Sequence, residues 1–543
     1  MSAIGAKDRG AYALGLDFST RAVKTVVLDI KAAEVVYTGT IDYDTSLPHY
    51  GTRGGVLPAD EPTIRHTSPF MLIEALDLAF NELNSSGLDL GRIGVVKMDA
   101  MQHCTVYTDA SFGERLAHLD STQPLLPQLR TSITRETLPI WEDRSPVREV
   151  EYLQNTLQKH GSIQVLTGNA AELRFPAAQI MQWARQSPHD YCRTTHVFLL
   201  SSFLTSILAG ELVPVDTGDG WGTNLNTLDI DRPGWNEIVL KAIDAYLCDQ
   251  AAGLSLRYKL GDMIPYDTPL GNISPYFVER HGVYPEAIVL AGTGDNPATL
   301  LGCGGSTVIS LGSSYTVNGV MDEIVPSSDG EYNIFGYTPG RAMALSVFTN
   351  GAKVHEFFLD KYISGGADSG GLKGYWDEYV AAAGEPILME YERLMLPYLM
   401  DESVPLRRMG IVRDGFDETD AEVNIRALHI SQAISLRLHS SHLSGADTIC
   451  VVGGGAGNRF LRQMIADAFD AATCTIQHAD FAAPFGCCVS GARLLMGATY
   501  EEVVGGFVRV DRASFLHPLE KNQSPIRALL NRYEALEKAT GVQ

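Results

Sequence analysis

Paired-cysteine spacing is missing from this chain. Its eight cysteines are scattered, no CxxC or zinc-ligand pattern occurs, and Cys487 and Cys488 are adjacent, which suits reduced thiols in a cytosol better than a disulfide framework. Basic residues are scarce: 42 Lys and Arg stand against 65 Asp and Glu, a formal net charge of −23. That balance argues against a nucleic-acid partner or an anionic membrane surface, and a phosphorylated ligand would need local positive charge or a metal. Long apolar runs are absent as well. Nothing approaches the roughly 18 residues of a membrane span, and no basic n-region with an apolar h-region opens the chain. The longest candidate, 196–209 (HVFLLSSFLTSILA), carries four hydroxyl residues and is expected to be a buried core helix. The expectation is a soluble, cytoplasmic globular protein, whose 543 residues allow two or three domains.

What is present begins at 11–29, AYALGLDFSTRAVKTVVLD. An apolar strand ends at Asp17, Phe18-Ser19-Thr20-Arg21 turns the chain, and a β-branched strand resumes at Val23. Asp17 at the mouth of such a hairpin can hold a hydrated Mg²⁺, with Ser19 and Thr20 donating to phosphate oxygens; alternatively it only initiates the turn. A third strand over 34–43, a helix over 69–83 and a strand over 92–99 follow. Three antiparallel strands, a helix and another strand open the ribonuclease-H-like unit of actin-like ATPases, so the expected fold class is α/β.

After that strand come Gln102 and His103, an amide and an imidazole at a strand's C-terminal end, where α/β sheets place ligands. They suit a polyhydroxylated substrate, or His103 is a satisfied loop histidine. In 138–145 (LPIWEDRS) Trp141 and Asp143 form a sugar-type aromatic and carboxylate pair unless Trp141 is core. Arg174 precedes an amphipathic helix beginning near Pro176 and is a pocket donor or a solvated cation. The loop 216–225 (DTGDGWGTNL) is a turn or a site lining.

The second informative stretch is 287–301, AIVLAGTGDNPATLL. A buried strand runs into Asp295-Asn296-Pro297 and a small-residue helix. Asp295 or Asn296 caps that helix, or Asp295 is a general base for a hydroxyl attacking phosphorus. Immediately afterwards 306–320 (STVISLGSSYTVNGV) repeats strand, tight turn and strand, with Gly312-Ser313-Ser314 in place of Phe18-Ser19-Thr20. Two such hairpins imply two similar domains facing a cleft, divided near 302–305. A helix is expected over 421–443. The strand, glycine run and helix of 447–469 lack GxGxxG spacing, since Asn458 stands where the last glycine would be, which argues against a nicotinamide cofactor.

Taken together, GLDFSTRAVKTVVLD, MQHCTVY, LPIWEDRS, LTGNAAELRFPAAQIMQW, VDTGDGWGTNL, TGDNPATL, ISLGSSYT, NIRALHISQAISLRLHSSHL and GGGAGNRFLRQMIAD resemble the FGGY carbohydrate kinases over nearly the whole chain, most closely the xylulokinase type. The resemblance implies two ribonuclease-H-like (actin-like ATPase) domains, 1–303 for sugar and base and 304–543 for nucleotide. It implies transfer of the ATP γ-phosphate, with Mg²⁺, to the terminal hydroxyl of a ketopentulose, D-xylulose first. Asp295 as base and Asp17 as the Mg-ATP carboxylate would be catalytic. Gln102, His103, Arg174, Asp295 and Asn296 would bind the sugar. Ser19, Thr20, Gly312, Ser313, Ser314, Gly454, Gly455 and Asn458 would contact ATP, joined by Asn350 and Gly351. A homodimer is left open, and neither nucleic acid nor membrane is implied.

The chain departs from the pattern at Cys104, where relatives usually carry Gly, at Ser313 for Thr, at Gln179 for Lys and through 478–486; Cys104 bears on which sugar is taken. Another pentulose kinase such as a ribulokinase, or a tetritol kinase, is the alternative within the class. A non-catalytic ATP-dependent sugar sensor would not need both Asp17 and Asp295, and an assembly-driving ATPase would leave His103, Arg174 and Trp141 unexplained.

Overall fold

The computed structural model describes residues 10–248, 255–365, 372–389 and 391–541. Two sheets follow one plan. In the first, strands Tyr12–Phe18, Ala22–Asp29 and Glu34–Asp42 form an antiparallel meander, and Ile93–Ala100 then Ile288–Leu290 add in parallel beyond Tyr12–Phe18. In the second, Thr307–Leu311, Tyr315–Val320 and Ala342–Phe348 repeat the meander, with Thr448–Val452 then Ala472–Cys474 parallel beyond Thr307–Leu311. The duplication expected from the two hairpins is present in strand order as well as in sequence. Pro269–Asn272 and Asn333–Gly336 extend the two sheets as antiparallel edges.

Burial explains the sequence patterns. Every residue of Tyr12–Phe18 is buried, so this central strand is apolar apart from Asp17 near its end instead of alternating, as strands covered on both faces are. Glu34–Asp42 alternates exposed and half-covered positions over most of its length, as an edge strand does. The run 196–209 is not one helix: His196–Leu199 is a strand pairing antiparallel with Thr105–Thr108, and only Leu200–Ala209 is helical. The β-branched and aromatic Val197-Phe198 suit the strand. The helix expected over 421–443 stops at Leu438. Among the described residues, no helix is long and apolar enough to cross a membrane.

One helix connects the halves. Ala482–Met496, late in the chain, lies against the first sheet, where Cys488 Sγ donates to the carbonyls of Ala13 and Val26, both at 3.4 Å. It also crosses the helix Asp295–Gly302 at backbone contact: a Cβ on Gly302 would sit 1.9 Å from Ala482 O, one on Gly486 2.0 Å from Ala298 O, and one on Gly15 1.9 Å from Pro484 O. Only glycine permits approaches this close.

Candidate active site

The parallel strands of the first sheet end together and bring three carboxylates to one place. Asp17 and Asp99 are register partners on adjacent strands, and such partners project from the same face of a sheet. Thr293–Gly294 pairs with Asp99–Ala100 and leads directly into the helix that Asp295 opens. Neither Asp295 nor Asn296 caps that helix. Gly294 is the N-cap, without a side-chain bond, because Asp295 already has helical geometry at the first position. The Asp295 side chain is therefore left for the site. Burial, and then the charge of Asp17, push its carboxyl up to about 7. Burial lifts Asp17 to about 6 against the opposing pull of Lys24 and a hydrogen bond with Asp99. Asp99, fully buried, is pushed well above the carboxylate range by burial and by the charges of Asp17 and Asp295.

Amides fix the geometry around Asp295. Asn296 Nδ2 donates to Asp295 Oδ1 at 3.0 Å and to Gln102 Oε1 at 2.8 Å, while Gln102 Nε2 donates to Gly218 O at 3.0 Å. The stretch 216–225 lines this place, its first part as the short helix Thr217–Gly220. His103 adopts φ 71°, in the left-handed region, and stacks on Phe175 with ring centroids 4.4 Å apart. Its Nδ1 lies 2.7 Å from Gly222 O, so Nδ1 carries the proton and Nε2 is an acceptor. Burial first, then the Arg174 charge, drive its pKa down to about 3. The expected result is that His103 shows no titration between pH 5 and 9 in ring-nitrogen NMR; a midpoint near 6.5 would contradict this tautomer and its burial.

Arg174 reaches across to the second sheet. Its Nη2 donates to Asn333 Oδ1 at 3.1 Å, Glu172 Oε1 lies 3.9 Å away, and its buried Nε has no acceptor among the described residues. Phe335, from the same edge strand as Asn333, approaches His103 with centroids 6.1 Å apart. Asn333, Phe335 and Phe175 meet Arg174 and His103 here, and sequence reading did not find them, nor Asp99 beside Asp17. Trp141 is not core: it is 46% exposed and donates from Nε1 to Thr20 Oγ1 at 3.1 Å. Asp143 lies apart from it, fully buried, accepting from Gln179 Nε2 at 2.8 Å and Ser145 Oγ at 2.6 Å. Cys104 is core, its Sγ turned 3.6 Å from Gln102 O.

The two hairpin turns differ in what they leave free. Ser19 Oγ is engaged with Ala22 O at 2.8 Å and Thr20 with Trp141, whereas Ser313 and Ser314 are exposed. In the second sheet Ser310 pairs with Val452, so the Gly312 turn and the run 453–457 leave at the same end. Gly453 (φ 86°) and Gly455 press on Leu311, with Cβ positions 3.0 and 2.8 Å from its atoms, while Gly454 faces open space. Gly351 packs on the backbone of Ser313. Two asparagines are committed elsewhere. Asn458 Oδ1 caps the helix Arg459–Phe469 by accepting from Leu461 N at 3.0 Å, and Asn350 Oδ1 accepts from Leu399 N and Met400 N at 2.8 and 3.1 Å.

No protein-family model matches the chain. The mouse xylulose kinase is 29% identical over 545 residues, covering 97% of this chain and 94% of that protein. The probable D-xylulose kinase A of Neosartorya fischeri is 30% identical over 491 residues, covering 84% and 83%. The solved structure of ligand-bound xylulose kinase from Lactobacillus acidophilus has a TM-score of 0.77 at 16% identity, covering 97% of this chain and 98% of that one. Two meander sheets with parallel additions, glycine-rich turns at their ends and carboxylates at the strand tips make the fold that of the actin-like ATPases, in the form seen in sugar kinases. Within that class, the chain belongs to the xylulose kinase family.

Proposed function

We propose that this protein is an ATP-dependent sugar kinase of the FGGY type, transferring the γ-phosphate to the terminal hydroxyl of D-xylulose to give D-xylulose 5-phosphate. The observation that carries the reading is Asp295, placed at a helix start beside Asp17 with Asn296 and Gln102 fixing its carboxylate. Residues 1–303 hold the sugar and 304–543 the nucleotide. The sugar lies between Gln102, His103, Arg174 and Asn296, where neutral His103 accepts a hydrogen bond from a sugar hydroxyl at Nε2 and Arg174 donates one. Asp295 takes the proton of the attacking hydroxyl, and its poise near neutrality matches that task. The nucleotide phosphates face Ser19, Thr20, Gly312, Ser313 and Ser314, and the nucleoside faces the glycine run at Gly454 and Gly455, with Asn458 holding the helix behind it.

Asp17 fits a Mg²⁺ ion, because its Oδ1 is buried and has no hydrogen-bond donor among the described residues; Mg²⁺ held there would supply positive charge to offset that of the transferring phosphate. Arg174 and Asn333 join opposite halves, so the pocket is completed when the halves are together and water is kept from the phosphate.

Sugar-dependent ADP release with Mg-ATP, across D- and L-xylulose, D- and L-ribulose, glycerol and erythritol, tests the proposal. D-xylulose should lead; uniformly low release alongside tight sugar binding would overturn it. The pH profile follows from Asp295. Since the base must be ionised, kcat/KM should rise through a midpoint near 7 and level off above it. A profile flat from pH 5 to 9 would remove Asp295 from the base role. His103→Ala should raise the sugar KM about tenfold, the loss of roughly one buried hydrogen bond, with kcat reduced less.

A further inference from the structure

Some buried carboxylates in this protein are well supplied, while Glu149, Asp216 and Asp219 each keep one oxygen without a partner among the described residues. Asp143 is fully buried and accepts from the backbone N–H of Arg65 at 2.9 Å, from Ser145 and from Gln179. Asp267 is buried against Lys97, Oδ1 to Nζ 2.9 Å. Asp99 is different. It is fully buried, yet among the described residues its donor is the thiol of Cys487, Sγ to Oδ2 3.3 Å, and its Oδ1 has none. Its register partner Asp17, 5% exposed, also has an Oδ1 without a donor. Two such oxygens beside a third carboxylate are costly to bury unless something positive joins them. Hard divalent cations are held by carboxylate oxygens in this way, with water completing the shell.

We infer that Asp99 is a second carboxylate for the divalent cation, facing it together with Asp17, and that the cation position is a two-carboxylate one in this chain. The inference rests on the kinase reading for Asp17 and adds Asp99 to it. Two things follow: the free protein takes up a divalent cation before any nucleotide arrives, and Asp99 governs the cation requirement without touching the sugar.

The experiment is Mn²⁺ uptake by the intact, nucleotide-free protein, read from the loss of the free-ion electron paramagnetic resonance signal, with thermal melts to establish folding. Wild type should bind one Mn²⁺. Asp99→Ala and the shape-preserving Asp99→Asn should bind it about tenfold more weakly or worse. In assays, the Mg²⁺ concentration for half-maximal turnover should rise in parallel while the sugar KM stays unchanged. Affinity within twofold of wild type in a folded Asp99 variant would overturn the inference, reducing Asp99 to a partner that shares a proton with Asp17. No Mn²⁺ uptake by wild type would overturn it equally. Were Asp17→Asn to leave both uptake and turnover intact, the kinase reading itself would fall, an outcome separable from the failure of Asp99 alone.

Discussion

Asp295→Asn should reduce kcat by about 10²–10⁴-fold, the range for loss of a positioned general base, while sugar binding measured by calorimetry stays close to wild type. The amide keeps the shape of the carboxylate, and Gln102 and Asn296 remain to hold the pocket. Stability distinguishes this from misfolding. The folded carboxyl is raised to about 7 from an ordinary value of 3.8, so the native state holds its proton more tightly than the unfolded chain between those values. Stability from this group is thus present at low pH and is lost as pH rises through 7. At pH 8 the variant should therefore melt no lower than wild type. Near-normal turnover in a folded variant would end the base assignment.

The largest structural effect is expected at the crossing of Ala482–Met496 with Asp295–Gly302. In Gly486→Ala the new methyl would lie 2.0 Å from Ala298 O and 2.9 Å from Gly302 N. Both are backbone atoms that cannot swing aside, so the helices must part. A destabilisation of about 3 kcal/mol or more is expected, at the upper end for overpacking. Activity should fall with it, because the displaced helix carries Asp295 at its start. Gly505→Ala is the matched control. Gly505 lies in the helix Tyr500–Phe507, exposed, with nothing within 4 Å of its Cβ position, and alanine there should stabilise by about 0.5–1 kcal/mol. Equal melting of the two variants would show that the crossing tolerates separation.

Local pattern made the first hairpin, its repeat and the strand before Gln102 legible, because each is an apolar run broken by a tight polar turn. Asp17 and Asp295 stood out as acids placed where such strands end. Asp99 did not, since nothing within 92–99 says that it lies level with a residue 82 positions earlier; that follows from parallel register. Asn333 and Phe335 were hidden for a related reason, being edge-strand residues of the second sheet that meet His103 and Arg174 only through tertiary packing. The split of 196–209 shows tertiary pairing overruling a helical pattern, as Thr105–Thr108 takes the first four residues into a strand. Trp141 and Asp143, adjacent in pattern, part because one tops the phosphate-type turn while the other is hydrogen-bonded inside.

The position of Ala482–Met496 bears on how the molecule is made. A ribosome extends the chain from its beginning, so the first sheet emerges and pairs its strands well before residues 482–496 exist. Until then the face holding Ala13, Gly15 and Val26 has no cover, and the thiol that will bond to Ala13 O and Val26 O has not been synthesised. The two halves are thus alike in plan and interdependent in biogenesis. A fragment ending at 303 should accumulate as an aggregating or chaperone-bound species, and supplying 304–543 in the same cell should recover soluble protein by complementation.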